Sequence, residues 1–231
     1  MRSLEALLRR GDLWRGTASV GEVAHPAVPT GFAALDRELP GGGWPRGALV
    51  EILVPCEGIG ELQLVLPALA RASAAGGRIA WISPPHLPYA PALAAAGVAL
   101  ERLTVVGAPS RRDALWAAEQ ALRSRVCEAI LLWLRRADYA ELRRLAVAAE
   151  GGPAFALLFR APQAAREPSP APLRLLLEPA GGPLAVRVLK RRGAPARAPI
   201  VLTLKKPFHA VGGAAPAAAR IAGARARACT A

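Results

Sequence analysis

Ten residues, Val54-Pro55-Cys56-Glu57-Gly58-Ile59-Gly60-Glu61-Leu62-Gln63, follow an apolar run of strand length and lead into a helix-forming stretch. Strand, glycine loop and helix in that order are the parts of a phosphate cradle, because N–H groups at a helix N-terminus converge on an anion. Work on a nucleoside triphosphate requires Gly-Lys-Ser/Thr at the loop's end, the lysine for the β- and γ-phosphates and the hydroxyl for magnesium. Here Gly58 and Gly60 are followed by Glu61 and Leu62. A carboxylate at that place repels phosphate, and Leu62 offers a metal no oxygen. Other chemistry is absent from the spacing: His25, His86 and His209 are scattered. Cys56, Cys127 and Cys229 show no C-x-x-C pair and read as separate buried thiols. We expect no metal site and no cofactor.

The elements that must position this loop alternate between two periods. Ala48 to Val54 reads as a strand and Glu61 to Ala74 as the helix after the loop, ended by Gly76-Gly77. Strands at Arg78–Ser83, Leu103–Val106, Glu128–Leu134 and Phe155–Phe159 are separated by helices at Tyr89–Ala96, Asp113–Arg125 and Tyr139–Glu150. Near-continuous apolar strands divided by helices predict a mainly parallel α/β sheet with helices on both faces. Three further short strands, Leu173–Glu178, Leu184–Lys190 and Ile200–Leu204, predict an antiparallel extension of that sheet. Residues 1–28 divide into a short helix, with Leu4, Leu7 and Leu8 on one apolar face, and a linker. The core is expected over 29–208, and a basic, disordered Ala/Arg-rich tail over 209–231.

The chain has 231 residues, 53% of them hydrophobic, enough for one generous domain without a disulfide framework. No apolar stretch is long enough to cross a membrane, and the charged start lacks a signal peptide's apolar region, so a cytoplasmic location is expected. The net charge of +13 is unevenly placed: residues 161–231 hold 12 basic and 2 acidic side chains. Such a basic end suits phosphate backbones or an acidic partner surface. Trp44, Trp81, Trp116 and Trp133 read as core residues.

The run Pro29-Thr30-Gly31-Phe32-Ala33-Ala34-Leu35-Asp36, continued by Gly42-Gly43-Trp44-Pro45-Arg46-Gly47-Ala48-Leu49-Val50-Glu51-Ile52, resembles the segment leading into the P-loop of RecA-type recombinases. The likeness extends over roughly residues 29 to 205 and implies a RecA-like P-loop NTPase-type core. Aligned on that family, the Walker lysine falls on Glu61, the hydroxyl on Leu62, the Walker B aspartate on Trp133, and the water-activating glutamate at or beside Pro85. The nucleotide site is therefore expected to be degenerate and the chain to be no enzyme. Tyr89 matches a residue that stacks on a base. Arg135 and Arg136 follow the fourth strand, where the family places a DNA-contacting loop. With Arg191, Arg192, Arg197, Lys205 and Lys206 they are the candidate contacts to non-specific DNA.

Within the superfamily, Pro55 to Leu64, Trp81 to Leu93 and Asp113 to Leu122 resemble the ImuA family, RecA-related and catalogued beside SulA. That resemblance implies a damage-induced (SOS) accessory protein of mutagenic translesion DNA synthesis. Its implied partners are an ImuB-like inactive Y-family polymerase relative, an error-prone DNA polymerase and RecA itself, with association to the nucleoid. Leu4, Leu7 and Leu8 are the candidate partner-binding residues. A SulA-type division inhibitor and an active RecA-type ATPase are the alternative readings.

Overall fold

The computed structural model describes residues 27–180, 183–192 and 198–204. Its centre is an eight-stranded sheet in the order β10-β9-β8-β3-β7-β6-β4-β5. Its strands are β3 (Ala48–Leu53), β4 (Arg78–Ile82), β5 (Leu103–Val106), β6 (Cys127–Trp133), β7 (Phe155–Arg160), β8 (Leu173–Pro179), β9 (Leu184–Lys190) and β10 (Ile200–Leu202). A separate two-stranded ribbon pairs β1 (Ala27–Val28) antiparallel with β2 (Trp44–Pro45). Among the described residues are five α-helices, α1 (Ala33–Asp36), α2 (Glu61–Ala74), α3 (Ala90–Ala95), α4 (Arg111–Ser124) and α5 (Tyr139–Ala149), and two short 3-10 helices, Leu100–Arg102 and Pro162–Arg166.

Both faces of the sheet are buried, which is why its central strands are apolar at nearly every position. On one face Val50, Ile52, Ile79, Trp81, Leu131, Phe155 and Leu157 meet Leu64, Val65, Ala68 and Leu69 of α2 and Leu93 of α3. On the other, Leu49, Ile82, Ile130, Leu132 and Leu158 meet Ala114, Ala118 and Leu122 of α4 and Leu142 and Leu145 of α5. The expected layering, with helices on both faces, is observed.

Local chemistry sets the helix ends. Ser110 Oγ accepts from the Asp113 N–H at the start of α4, and Asp138 and Glu141 form a reciprocal capping box at the start of α5. Arg125 closes α4 in the left-handed region at φ 55.

Several expectations are corrected. The late strands do not form a uniformly antiparallel extension: β8 runs parallel to β3, and the antiparallel pairings are β8 with β9 and β9 with β10, so β9 alone runs against the other strands. The connection from Arg160 to Leu173 passes from one side of β3 to the other, so β8 enters the sheet in the direction of β7. Ala27 and Val28, read as the end of a linker, are strand residues opposite Pro45 and Trp44, with Trp44 wholly buried. Trp116 is 63% exposed on α4, not core. Cys127 is a half-buried free thiol whose pKa burial raises, with Arg78 pulling the other way. Cys56 is disulfide-bonded and so is not the separate thiol expected. The Leu4, Leu7, Leu8 segment and the tail from 209 lie outside the described residues. No described helix is long and apolar enough to cross a membrane.

Candidate functional site

The glycine loop leaves the C-terminal end of β3, the second strand from one edge of the parallel set, and enters α2 at Glu61. Gly58 and Gly60 both adopt positive φ, 83° and 105°, a conformation that glycine reaches without strain. Gly60 is the N-cap of α2 and has no side chain to satisfy the helix's first N–H groups. The Glu61 carboxylate does not cap them; it turns back onto the loop before the helix. Its Oε1 lies 3.0 Å from the Gly58 nitrogen and its Oε2 3.2 Å from the Gly60 nitrogen. The carboxylate thus sits on the amides that a phosphate would use. On the far side Leu204, just past β10, lies against Gly60 so closely that any side chain there would run into it. Glu57 of the same loop pairs with His86 Nε2 at 2.7 Å, tying the loop to the segment between β4 and α3.

Beside the loop the strand ends carry aromatic rings. Trp133 at the end of β6 stacks on Phe159 of β7 with centroids 4.8 Å apart, and its ring meets Trp81 of β4 at 5.6 Å. Leu62 and Ile59 pack on the same apolar cluster. These side chains offer contacts to one another rather than to a cation. Pro85 and Tyr89 are exposed in the following segment, Tyr89 at 70%. Among the described residues no group of three or more His, Cys, Asp or Glu is placed to hold a metal.

The candidate DNA contacts do not form one patch. Arg135 and Arg136 line a cleft of about 780 Å³ at the C-terminal ends of β6 and β7, with Arg111, Tyr139 and Gln163. Two carboxylates also line it, but both are engaged: Asp138 caps α5, and Glu167 accepts from Arg160 Nη2 at 2.7 Å. Arg111 is likewise engaged, with Glu141 at 3.2 Å, so the cleft's basic character rests on Arg135 and Arg136. Arg191 is held by the carboxylate of Glu38 at 2.8 Å, and Arg192 lines a separate cavity of about 570 Å³ with Arg46, Gly47 and Gly151. That cavity opens at the N-terminal ends of β3 and β7, the opposite edge of the sheet. Arg197, Lys205 and Lys206 lie outside the described residues.

Sequence reasoning missed a buried ionic cluster. Glu51, fully buried in β3, accepts from Arg160 Nη1 at 3.3 Å, Ser169 Oγ at 2.8 Å and Arg174 Nε at 2.7 Å. Arg160 also donates to the Ala137 carbonyl, and Arg174 to the carbonyls of Ala164 and Glu167. These contacts hold the 161–172 connection. The signal was present as charges inside apolar strands, since a charge enters a core only with partners.

A parallel α/β sheet with a glycine loop between its first long strand and the following helix defines the architecture of a P-loop nucleotide-binding domain. Residues 6–134 match the family model of the RecA N-terminal domain, more than half of the chain, and the chain belongs to that family. It is 35% identical over 133 residues to Protein RecA of Picosynechococcus sp., covering 57% of this chain and 37% of that one. Protein RecA of Clavibacter michiganensis is 37% identical over 132 residues, 53% of this chain and 35% of the relative. Protein RecA of Acholeplasma laidlawii is 35% identical over 140 residues, 57% and 41% respectively. The chain spans about two fifths of the length of these relatives.

Proposed function

We propose that this RecA-family chain is a non-hydrolytic accessory protein of damage-induced mutagenic translesion synthesis. In this reading it is an adaptor between an ImuB-like inactive polymerase relative and an error-prone DNA polymerase. The observation that carries the loss of hydrolysis is the Glu61 carboxylate on the Gly58 and Gly60 amides. Phosphoryl transfer needs a phosphate cradle, a metal and a positioned water together. The alignment puts Glu61, Leu62, Trp133 and Pro85 at those places, and the aromatic contacts of Trp133 agree with their loss. The adaptor role and its partners rest on the likeness to the ImuA family described above. With no ATP to cut, the chain's contribution is contact surface, for which the apolar Leu4, Leu7, Leu8 segment and the basic end are the assigned regions.

Two measurements test this. Purified full-length protein is expected to show no magnesium-dependent ATP turnover above background; a rate that disappears on changing Glu61 would overturn the reading. Capture of an ImuB-like partner is expected to fall when Leu4, Leu7 and Leu8 are changed to Ala, to fall with truncation after 208, and to fall furthest with both. Undiminished capture by the combined variant would place the contact on the core.

Direct DNA contact is a second reading, favoured by the basic cleft around Arg135 and Arg136 and by relatives that are RecA proteins. It is compatible with the adaptor role.

A further inference from the structure

Glu61 opens α2, yet its side chain turns back over the residues before it. One carboxylate takes both loop amides, Gly58 through Oε1 and Gly60 through Oε2. The positive φ of the two glycines is the backbone shape that turns nearby N–H groups to one side, as an anion requires. We infer that Glu61 is the loop's own anion, standing in for phosphate on the Gly58 and Gly60 amides and so holding the glycine loop in place. This rests on the non-hydrolytic reading and adds to it: two of the loop's amides are already taken, and the site is not only repellent.

Three features support self-occupation. First, the carboxylate is tethered beside its acceptor amides, so it competes at an effective concentration on the order of millimolar or above. A free phosphate must displace it and then bear its charge nearby. Second, Leu204 covers Gly60 from the other side, closing the loop by a residue that arrives from the far edge of the sheet. Third, the Glu57 to His86 pair at 2.7 Å fastens the loop to the segment carrying Pro85. Side chains of this chain thus make the contacts that fix the loop. Its outer surface, including the neighbouring His86 to Tyr89 segment, is presented in one state whatever the nucleotide concentration.

The test uses the full chain as wild type, Glu61→Ala, Glu61→Gln and Leu204→Ala, with amide hydrogen exchange at Gly58 and Gly60 as the readout and inorganic pyrophosphate as the probe. In Glu61→Ala both amides should exchange at least about tenfold faster, a ratio equivalent to about 1.4 kcal/mol, and pyrophosphate should slow them again. Wild type should not respond to pyrophosphate. Leu204→Ala should leave both amides protected, because their acceptor remains. Where Glu61→Ala fails to fold, Glu61→Gln carries the test: it keeps the length, loses one acceptor, and should release one amide of the two. Equal exchange in wild type and the Glu61 variants overturns the inference. So does fast exchange that pyrophosphate cannot slow, which would leave Glu61 an ordinary helix cap. ATP turnover by wild type would end the non-hydrolytic reading instead, so the two failures are distinguishable.

Discussion

Single side chains decide whether this site can bind, and two of them illustrate opposite uses of charge. Glu61 is a carboxylate spent on backbone N–H groups at the surface, whereas Glu51 is spent on two buried guanidinium groups. Replacing Glu51 by Leu leaves Arg174 buried without its counter-charge and Arg160 with Glu167 alone, which costs about 3–5 kcal/mol. Denaturant unfolding should report that loss. Changing Glu51, Arg160 and Arg174 together to apolar residues of similar volume should recover most of it, since an ion cluster replaced whole is far cheaper than one broken. A triple variant no more stable than Glu51→Leu would show that the arginines act mainly through the carbonyls of Ala137, Ala164 and Glu167. At the loop, Glu61→Lys with Leu62→Thr restores the residues that phosphate chemistry asks for, yet turnover should stay at background. In the proposed reading Trp133, stacked on Phe159, stands where a metal ligand is needed, and Pro85 supplies no base. Turnover in that double variant would show that the aromatic strand ends are no obstacle.

At the level of elements the sequence was a good guide wherever period and punctuation agreed. The helix Glu61–Ala74 and the strands Leu103–Val106 and Leu184–Lys190 have the bounds their patterns predict, and the other central elements differ by only a residue or two. Direction and pairing were harder to read. The two-residue strand Ala27–Val28 has too few residues for a period, and it is defined by its pairing with Pro45 and the buried Trp44. The parallel setting of β8 depends on how the 161–172 connection crosses β3, and that is settled by the Glu51 cluster rather than by any local pattern. The candidate site was partly legible: the glycine loop and its unsuitable end residues could be read directly, but not that the carboxylate would fold onto its own loop. Nor could spacing show that Arg135 and Arg191 face opposite edges of the sheet. Caps were likewise less visible than periods, although they carry local stability. Asp138→Ala removes one half of the α5 capping box and should cost about 1 kcal/mol. Exchange should accelerate in the first turn of α5 and not in its last. Uniform acceleration along the helix would mean that α5 opens only with the whole domain.

Across the whole molecule, charge and shape are divided between two edges of one sheet. The edge at the C-terminal ends of the strands carries the glycine loop and, on the other face, the cleft with Arg111, Arg135 and Arg136. The opposite edge carries the cavity with Arg46, Arg125 and Arg192. Much of the formal excess of +13 lies in residues 161–231, whose 12 basic side chains include several beyond the described residues. A nucleic acid drawn only by net charge would follow that basic end; one that needs an aromatic face beside its phosphates would choose the cleft, where Tyr139 is half exposed. These alternatives predict different salt behaviour. For single-stranded DNA each lost phosphate contact should reduce the slope of log affinity against log salt by about 0.7. We expect most of the slope to reside in the basic end. Replacing Lys205, Lys206 and Arg197 by Ala should therefore lower it more than replacing Arg135 and Arg136, with no change in base preference for either variant. Titrations of a labelled oligonucleotide at several salt concentrations give both slopes. A larger fall for the Arg135 and Arg136 variant, together with a lost preference for unpaired over duplex DNA, would move DNA contact to the cleft and leave the basic end for a protein partner.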